Sequence, residues 1–156
     1  MGQHFLIDKN HLGKIVAAAG IQPTDNILEI GPGAGVMTRL LSLEASKVFT
    51  IELDHRMIGV LDETLADLEN VTVVQGDALS VDWGIAFSDD VATRLVANIP
   101  YQITSPLLIR ILESDPPFVH ATILVQKEVA ERVVAPAGSK VYGALSCVAQ
   151  FVCDCH

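Results

Sequence analysis

Basic residues are scarce in this sequence of 156 residues: 10 lysines and arginines stand against 19 aspartates and glutamates, for a formal net charge of −9. Nucleic-acid binders usually present a basic face, so the composition by itself argues against one. Cysteine is also sparse, with only Cys147, Cys153 and Cys155. An odd number clustered toward one end does not make a disulfide framework, and a reducing compartment, the cytoplasm, is expected. Cys153-Asp154-Cys155-His156 could be drawn as metal ligands, but nothing elsewhere in the sequence completes the set. No metal is expected, and the thiols read as small buried side chains. Long hydrophobic runs are missing too, none approaching the about 18 residues of a membrane span. Met1-Gly2-Gln3-His4 leads straight into a motif, so no signal peptide is expected. Leu6 occupies the position where a myristoylation signal needs Ser or Thr.

What the sequence does have is apolar side chains. Half of the residues are hydrophobic and the mean hydropathy is +0.41, enough for a sizeable core in one domain spanning residues 1–156. The organising stretch is Asn26–Gly35, NILEIGPGAG. Ile27, Leu28 and Ile30 suit a buried parallel strand, Gly31-Pro32-Gly33-Ala34-Gly35 a tight turn, and Val36–Ala45 a helix. Strand, glycine turn and helix open a nucleotide-binding βαβ unit, in which glycines such as Gly31 and Gly33 let the backbone approach a ligand closely. A glycine cluster alone also occurs in turns that bind nothing. Here the spacing is G-x-G-x-G, with Val36 where a dinucleotide fingerprint has its third glycine. Glu29 precedes the turn, and a carboxylate there repels a pyrophosphate but favours a cation. Both details favour S-adenosylmethionine, which carries a sulfonium and an ammonium group and no phosphate.

The rest of the chain alternates regularly. Asp8 can cap a helix to Ala19 with Leu12, Ile15 and Val16 on its buried face, stopped by Gly20. Lys47–Leu53 reads as the second strand, and Glu52 at its end is placed to accept hydrogen bonds from ribose hydroxyls. Asp54 caps a helix over His55–Leu68. Val71–Gln75 is the third strand, followed by Asp77, a candidate acceptor for an adenine amino group. Val81–Asp90 reads as a loop with a helical turn. Arg94–Ala97 is the fourth strand; Ser105-Pro106 starts a helix to Glu113. Ala121–Gln126 is a fifth strand, Lys127–Ala135 and Val141–Ala149 are helices, and Phe151–Cys155 reads as the start of a sixth strand. The alternation predicts a doubly wound α/β sheet whose carboxyl-end crevice gathers every candidate ligand group.

Asn98-Ile99-Pro100-Tyr101 ends the fourth strand. An adenine N6 amino group is a poor nucleophile because its lone pair is delocalised into the ring. The Asn98 side-chain oxygen and the Pro100 carbonyl can accept its two hydrogens and localise that pair. Tyr101 offers an aromatic face to an extruded base. This is positioning chemistry for in-line methyl transfer, with no covalent nucleophile and no metal.

These residues bring a family into view. The chain resembles the KsgA-type (RsmA) small-subunit rRNA adenine dimethyltransferases across essentially its whole length. Gln3-His4-Phe5-Leu6-Ile7-Asp8 is similar to the family's N-terminal QNFL(I/L)D signature, and Leu28–Gly33 to its cofactor motif. Glu52, Gly76-Asp77-Ala78 and Asn98–Tyr101 follow in order and spacing. Within Gln126–Gln150, QKEVAERV, Gly138-Ser139-Lys140 and Tyr142–Ser146 look like the family's own pattern, which the related Erm enzymes lack. The resemblance implies a Rossmann-like class I methyltransferase fold, with cofactor contacts at His4, Leu6, Gly31, Glu52, Asp77 and Asn98. It also implies dimethylation of two adjacent adenines near the 3′ end of 16S rRNA. The sequence departs from the pattern with His4 in place of the bacterial asparagine. The resemblance further implies a last strand, a phenylalanine-containing loop and a small helical RNA-binding domain, none of them within these residues. Without a seventh strand, the Ala121–Gln126 edge is expected to stay open and to favour association. A small-molecule or dinucleotide enzyme on the same fold and a non-catalytic cofactor-binding or ribosome-assembly module remain open alternatives.

Overall fold

The computed structural model describes residues 9–87, 91–99, 101–115 and 117–156. They form two compact units, Met1–Ile99 with Phe118–Leu124, and Pro100–Pro117 with Val125–His156.

The first unit holds a five-stranded parallel sheet, β1 (Asn26–Ile30), β2 (Lys47–Glu52), β3 (Val71–Gln75), β4 (Thr93–Asn98) and β5 (His120–Leu124), in the order β3-β2-β1-β4-β5. The order reverses beside β1, so the crevice of a doubly wound sheet falls between the carboxyl ends of β1 and β4. All five residues of β1 are buried, as a central strand covered on both faces requires. Ile27 points to the same face as its partners Val48 and Arg94. There it packs with Leu12 and Ala19 of α1 (Lys9–Ala19), Met37 and Leu41 of α2 (Val36–Glu44), and Val48 and Val96. Asn26 points the other way and donates to the Ala86 carbonyl at 3.0 Å. That carbonyl belongs to the 3-10 turn Trp83–Ala86, whose indole packs against Phe118 at 5.8 Å. At the amino end of the sheet, Arg94 Nε meets the buried Asp25 carboxylate at 2.5 Å, and Arg94 Nη1 donates to the Ala19 carbonyl at 3.2 Å.

Local chemistry explains the boundaries. Gly20 stops α1 at φ +58, a conformation that costs a side chain about 1–2 kcal/mol. Asp54 caps α3 (His55–Thr64) by accepting from Arg56 N at 3.0 Å. This helix is four residues shorter than its apolar pattern predicts. Leu65 keeps the stripe buried after the helix has ended, and Asp67 turns out to pair with Arg39 at 2.7 Å.

In the second unit, α4 (Thr104–Leu112), α5 (Lys127–Val133) and α6 (Ala144–Val152) pack together. Ile103, not Ser105, is the first flanking residue of α4. Pro106 lies in the first turn, where its missing N–H would have had no partner. Side chains of α6 satisfy the end of α5: Ser146 Oγ donates to the Arg132 carbonyl, and Gln150 Nε2 donates to those of Val133 and Ala135, both at 2.8 Å. The expected sixth strand at Phe151–Cys155 is not formed. Helix α6 runs through Val152 and ends where Cys153 N donates to the Ala149 carbonyl at 2.9 Å. Apolar residues at 145, 148, 149 and 152 follow helical spacing, which overrides the β-branched and aromatic character of the segment. The expected burial of the thiols fails with it: Cys147 and Cys153 are exposed, and Cys155 is half-buried. Among the described residues, no helix is long and apolar enough to cross a membrane.

Candidate functional site

The glycine turn after β1 is built for close approach. Gly31 has φ +75, its N–H donates to the Ile51 carbonyl at 3.1 Å, and a Cβ there would stand 3.4 Å from the Asn98 carbonyl oxygen. The turn thus leans on the end of β2 on one side and the end of β4 on the other. Gly33 has φ +57 and is buried. Gly35 answers to a different demand. Its φ of +80 starts α2, and a Cβ would meet Leu65 at 3.0 Å and Leu61 at 3.2 Å. The third glycine therefore serves the packing of α3, not a ligand.

Glu52 sits at the carboxyl end of β2 and is 3% exposed. Its Oε1 accepts from Asp54 N at 2.8 Å. Its Oε2 is buried with no hydrogen-bond partner. A buried acceptor left empty costs about 1–3 kcal/mol, and a ligand hydroxyl donating to it would remove that cost. Gly76 N donates to the Glu52 carbonyl at 2.9 Å, which ties the start of the loop after β3 to the same place. Asp77 follows, exposed, with Oδ1 accepting from Leu79 N at 2.8 Å. Asn98 ends β4 half-buried. The structure therefore gathers the turn at Gly31 with Glu52 and Asn98, and sets Asp77 one residue beyond Gly76. Tyr101 opens the 3-10 helix Tyr101–Ile103 in the second unit. His4, Leu6 and Pro100 lie outside the described residues.

Glu29 departs from the expectation of a carboxylate facing a cation. It is fully buried, and its Oε2 accepts from Thr38 Oγ1 of α2 at 2.6 Å, so it binds strand to helix. Burial pushes its pKa up to about 7. The Thr38 and Thr50 hydroxyls oppose that shift, and the charge of Glu52 adds to it. Thr50 acts without meeting hydrogen-bond geometry, since neither its hydroxyl nor Glu29 Oε1 has a partner.

Leu53 escaped the sequence reading. It follows Glu52 out of the strand and is 69% exposed, an apolar surface that can cover a flat heterocycle. The available signal was a leucine between two acidic residues, just where the strand meets solvent. A separate groove of about 690 Å³ in the second unit is lined by Glu128, Arg132, Lys140 and Tyr142 among others, and by none of the predicted site residues. Among the described residues, no group of three or more His, Cys, Asp or Glu could hold a metal.

This arrangement has known counterparts. The family described as ribosomal RNA adenine dimethylase matches residues 1–156. The chain is 46% identical over 158 residues to the ribosomal RNA small subunit methyltransferase A of Shouchella clausii, covering 99% of this chain and 53% of that protein. The protein of the same name from Clostridioides difficile is 46% identical over 157 residues, with 99% and 54% covered. A dimethyladenosine transferase from Plasmodium falciparum superposes with a TM-score of 0.83 at 36% identity, over 94% of this chain and 52% of that one. The 23S rRNA methyltransferase ErmE gives 0.77 at 32% identity, over 86% and 53%. The chain spans about half the length of the curated relatives it matches.

Proposed function

The chain belongs to the ribosomal RNA adenine dimethylase family, and on that premise we propose that it transfers methyl groups from S-adenosylmethionine to N6 of two adjacent adenines near the 3′ end of 16S rRNA. The acceptor is RNA in the immature small ribosomal subunit, the compartment is the cytoplasm, and residues 1–156 act as one methyltransferase domain. The observation that carries the reading is Glu52 Oε2, a buried acceptor without a partner beside a glycine turn whose Gly31 holds a left-handed φ of +75 against the end of β4.

When bound, S-adenosylmethionine supplies an electrophilic methyl group on a sulfonium. Gly31 and Gly33 admit it to the carboxyl ends of the strands, Glu52 accepts from its ribose, Asp77 accepts from its adenine amino group, and Leu53 covers the heterocycle. His4 and Leu6 contribute further contacts by analogy with the family signature. The Asn98 side-chain oxygen and the Pro100 carbonyl accept hydrogen bonds from the N6 amino group of the target adenine and localise its lone pair, Tyr101 supports the base, and the proton that N6 sheds on each methylation passes to solvent. No side chain is methylated on the way, so catalysis consists of orientation and polarisation.

Isothermal titration with S-adenosylmethionine tests the assignment. Glu52→Ala weakens binding by about 1–3 kcal/mol, the scale for losing a charged acceptor from a buried site. Unchanged affinity in a folded variant removes Glu52 from the site. Methyl transfer to small subunits lacking the modification, read as label in 16S rRNA, tests the acceptor.

A further inference from the structure

We propose that Cys153 and Cys155 form a dithiol that closes reversibly to an intrachain disulfide on meeting a small-molecule disulfide such as oxidised glutathione. Their sulfurs already lie 3.7 Å apart. Two residues of chain span at most about 7 Å, within the Cα separation a disulfide tolerates. Residues 153–156 belong to no helix or strand, so the sulfurs can close the remaining gap without distorting a regular element. Cys153 is exposed and Cys155 half-buried, so a solute can reach the pair. Cys147 is exposed as well but six positions back along α6. That is about 9 Å of helical rise, too far for a bridge to Cys153.

The chemistry sets an order. Burial, then the hydrogen bond and charge of Cys153, then the charge of Asp154 push the Cys155 pKa up to about 11, which keeps that group a thiol at neutral pH. Cys153, the more exposed of the two, is the one a small disulfide meets first. Its sulfur bonds to one sulfur of the small disulfide, the original S–S bond breaks, and one thiol leaves. Cys155 then loses its proton to solvent and attacks Cys153 Sγ, and the second small thiol departs. One small disulfide is reduced to two thiols, and the two cysteines are oxidised to one disulfide. The ring is small, and strained disulfides are the readily reduced ones, so excess dithiol reopens it.

The test treats the reduced 156-residue chain with oxidised glutathione, blocks the remaining thiols by alkylation, and measures intact mass and peptide map. On the Cys147→Ser chain, where no third exposed thiol can hold glutathione, the proposal expects alkylation to fall from two sites to none, a mass loss of two hydrogens, no retained glutathione, and a map joining Cys153 to Cys155. Cys147→Ser keeps the closure. Cys153→Ser and Cys155→Ser instead each retain glutathione on the remaining member of the pair. Stable glutathione adducts on Cys153 or Cys155 while both are present, chain-to-chain crosslinks through either, or, in the unsubstituted chain, a bridge from either to Cys147 overturn it.

Discussion

Replacing Glu29 by glutamine changes the pH dependence of folding in a direction that the structure dictates. The carboxyl is fully buried, with Thr38 donating to one oxygen and nothing bonded to the other. Its pKa rises from 4.5 to about 7 on folding. Between those values the folded chain holds a proton that the unfolded chain has released, so stability falls as pH rises. The penalty is absent below the unfolded pKa, grows through the window, and is complete above the folded one. At about 1.4 kcal/mol for each pH unit separating the two pKa values, the whole effect is about 3.5 kcal/mol, of which about 2.5 kcal/mol develops between about pH 5 and pH 9. Glu29→Gln keeps an acceptor for Thr38 and carries no charge at any pH. Urea unfolding of both chains across that range measures the difference. The variant gains on the parent by about 2.5 kcal/mol from the acid to the alkaline end, whatever fixed cost its amide hydrogens impose. A difference that stays flat across the range refutes the reasoning, because the carboxylate would then titrate alike folded and unfolded.

Three further outcomes are expected. Asn98→Ala lowers the single-turnover rate of methyl transfer at saturating cofactor far more than it lowers cofactor affinity, since its proposed partner is the target amino group; the reverse pattern makes it a binding residue only. Gly31→Ala forces a side chain into φ +75 with its Cβ 3.4 Å from the Asn98 oxygen. It costs about 1–2 kcal/mol in a denaturant titration, together with a loss of cofactor affinity that Gly59→Ala, open to solvent in α3, does not show. Arg94→Met leaves the buried Asp25 carboxylate without its cation and lowers unfolding free energy by about 3 kcal/mol.

The order of elements is legible in the sequence because hydrophobic period and turn chemistry agree nearly everywhere. NILEI, KVFTIE and VTVVQ are short apolar runs closed by glycine or acidic residues, and each forms a parallel strand with its last residue at the carboxyl edge of the sheet. Glu52 is legible for the same reason: an acidic residue at a strand end is conspicuous. Glu29 is not, because sequence position beside a turn does not reveal which face of a strand a side chain takes, and Thr38 claims it from the helix side. Phe151–Cys155 misleads because its β-forming residues continue a helix whose apolar spacing begins at Ala144. Net charge alone decides little about nucleic acid, because a sum over the chain says nothing of where its cations stand; the family that matches is described as ribosomal RNA adenine dimethylase.

The position of β1 in the sheet has a bearing on how the chain comes to be folded during its synthesis. Asn26 pairs with Lys47 on one side but with Thr93 on the other. As the polypeptide emerges from the ribosome, β1, β2 and β3 can associate while the second edge of β1 still has no partner. Contacts between distant stretches of sequence form slowly, because a long loop must first be closed. The strand that bears the glycine turn thus keeps one row of backbone donors and acceptors unsatisfied until Thr93–Asn98 arrives. A nascent chain stalled before Thr93 would carry the glycine turn and Glu52 without Asn98, on a largely apolar central strand with one open edge, the state in which chaperones would be expected to find it.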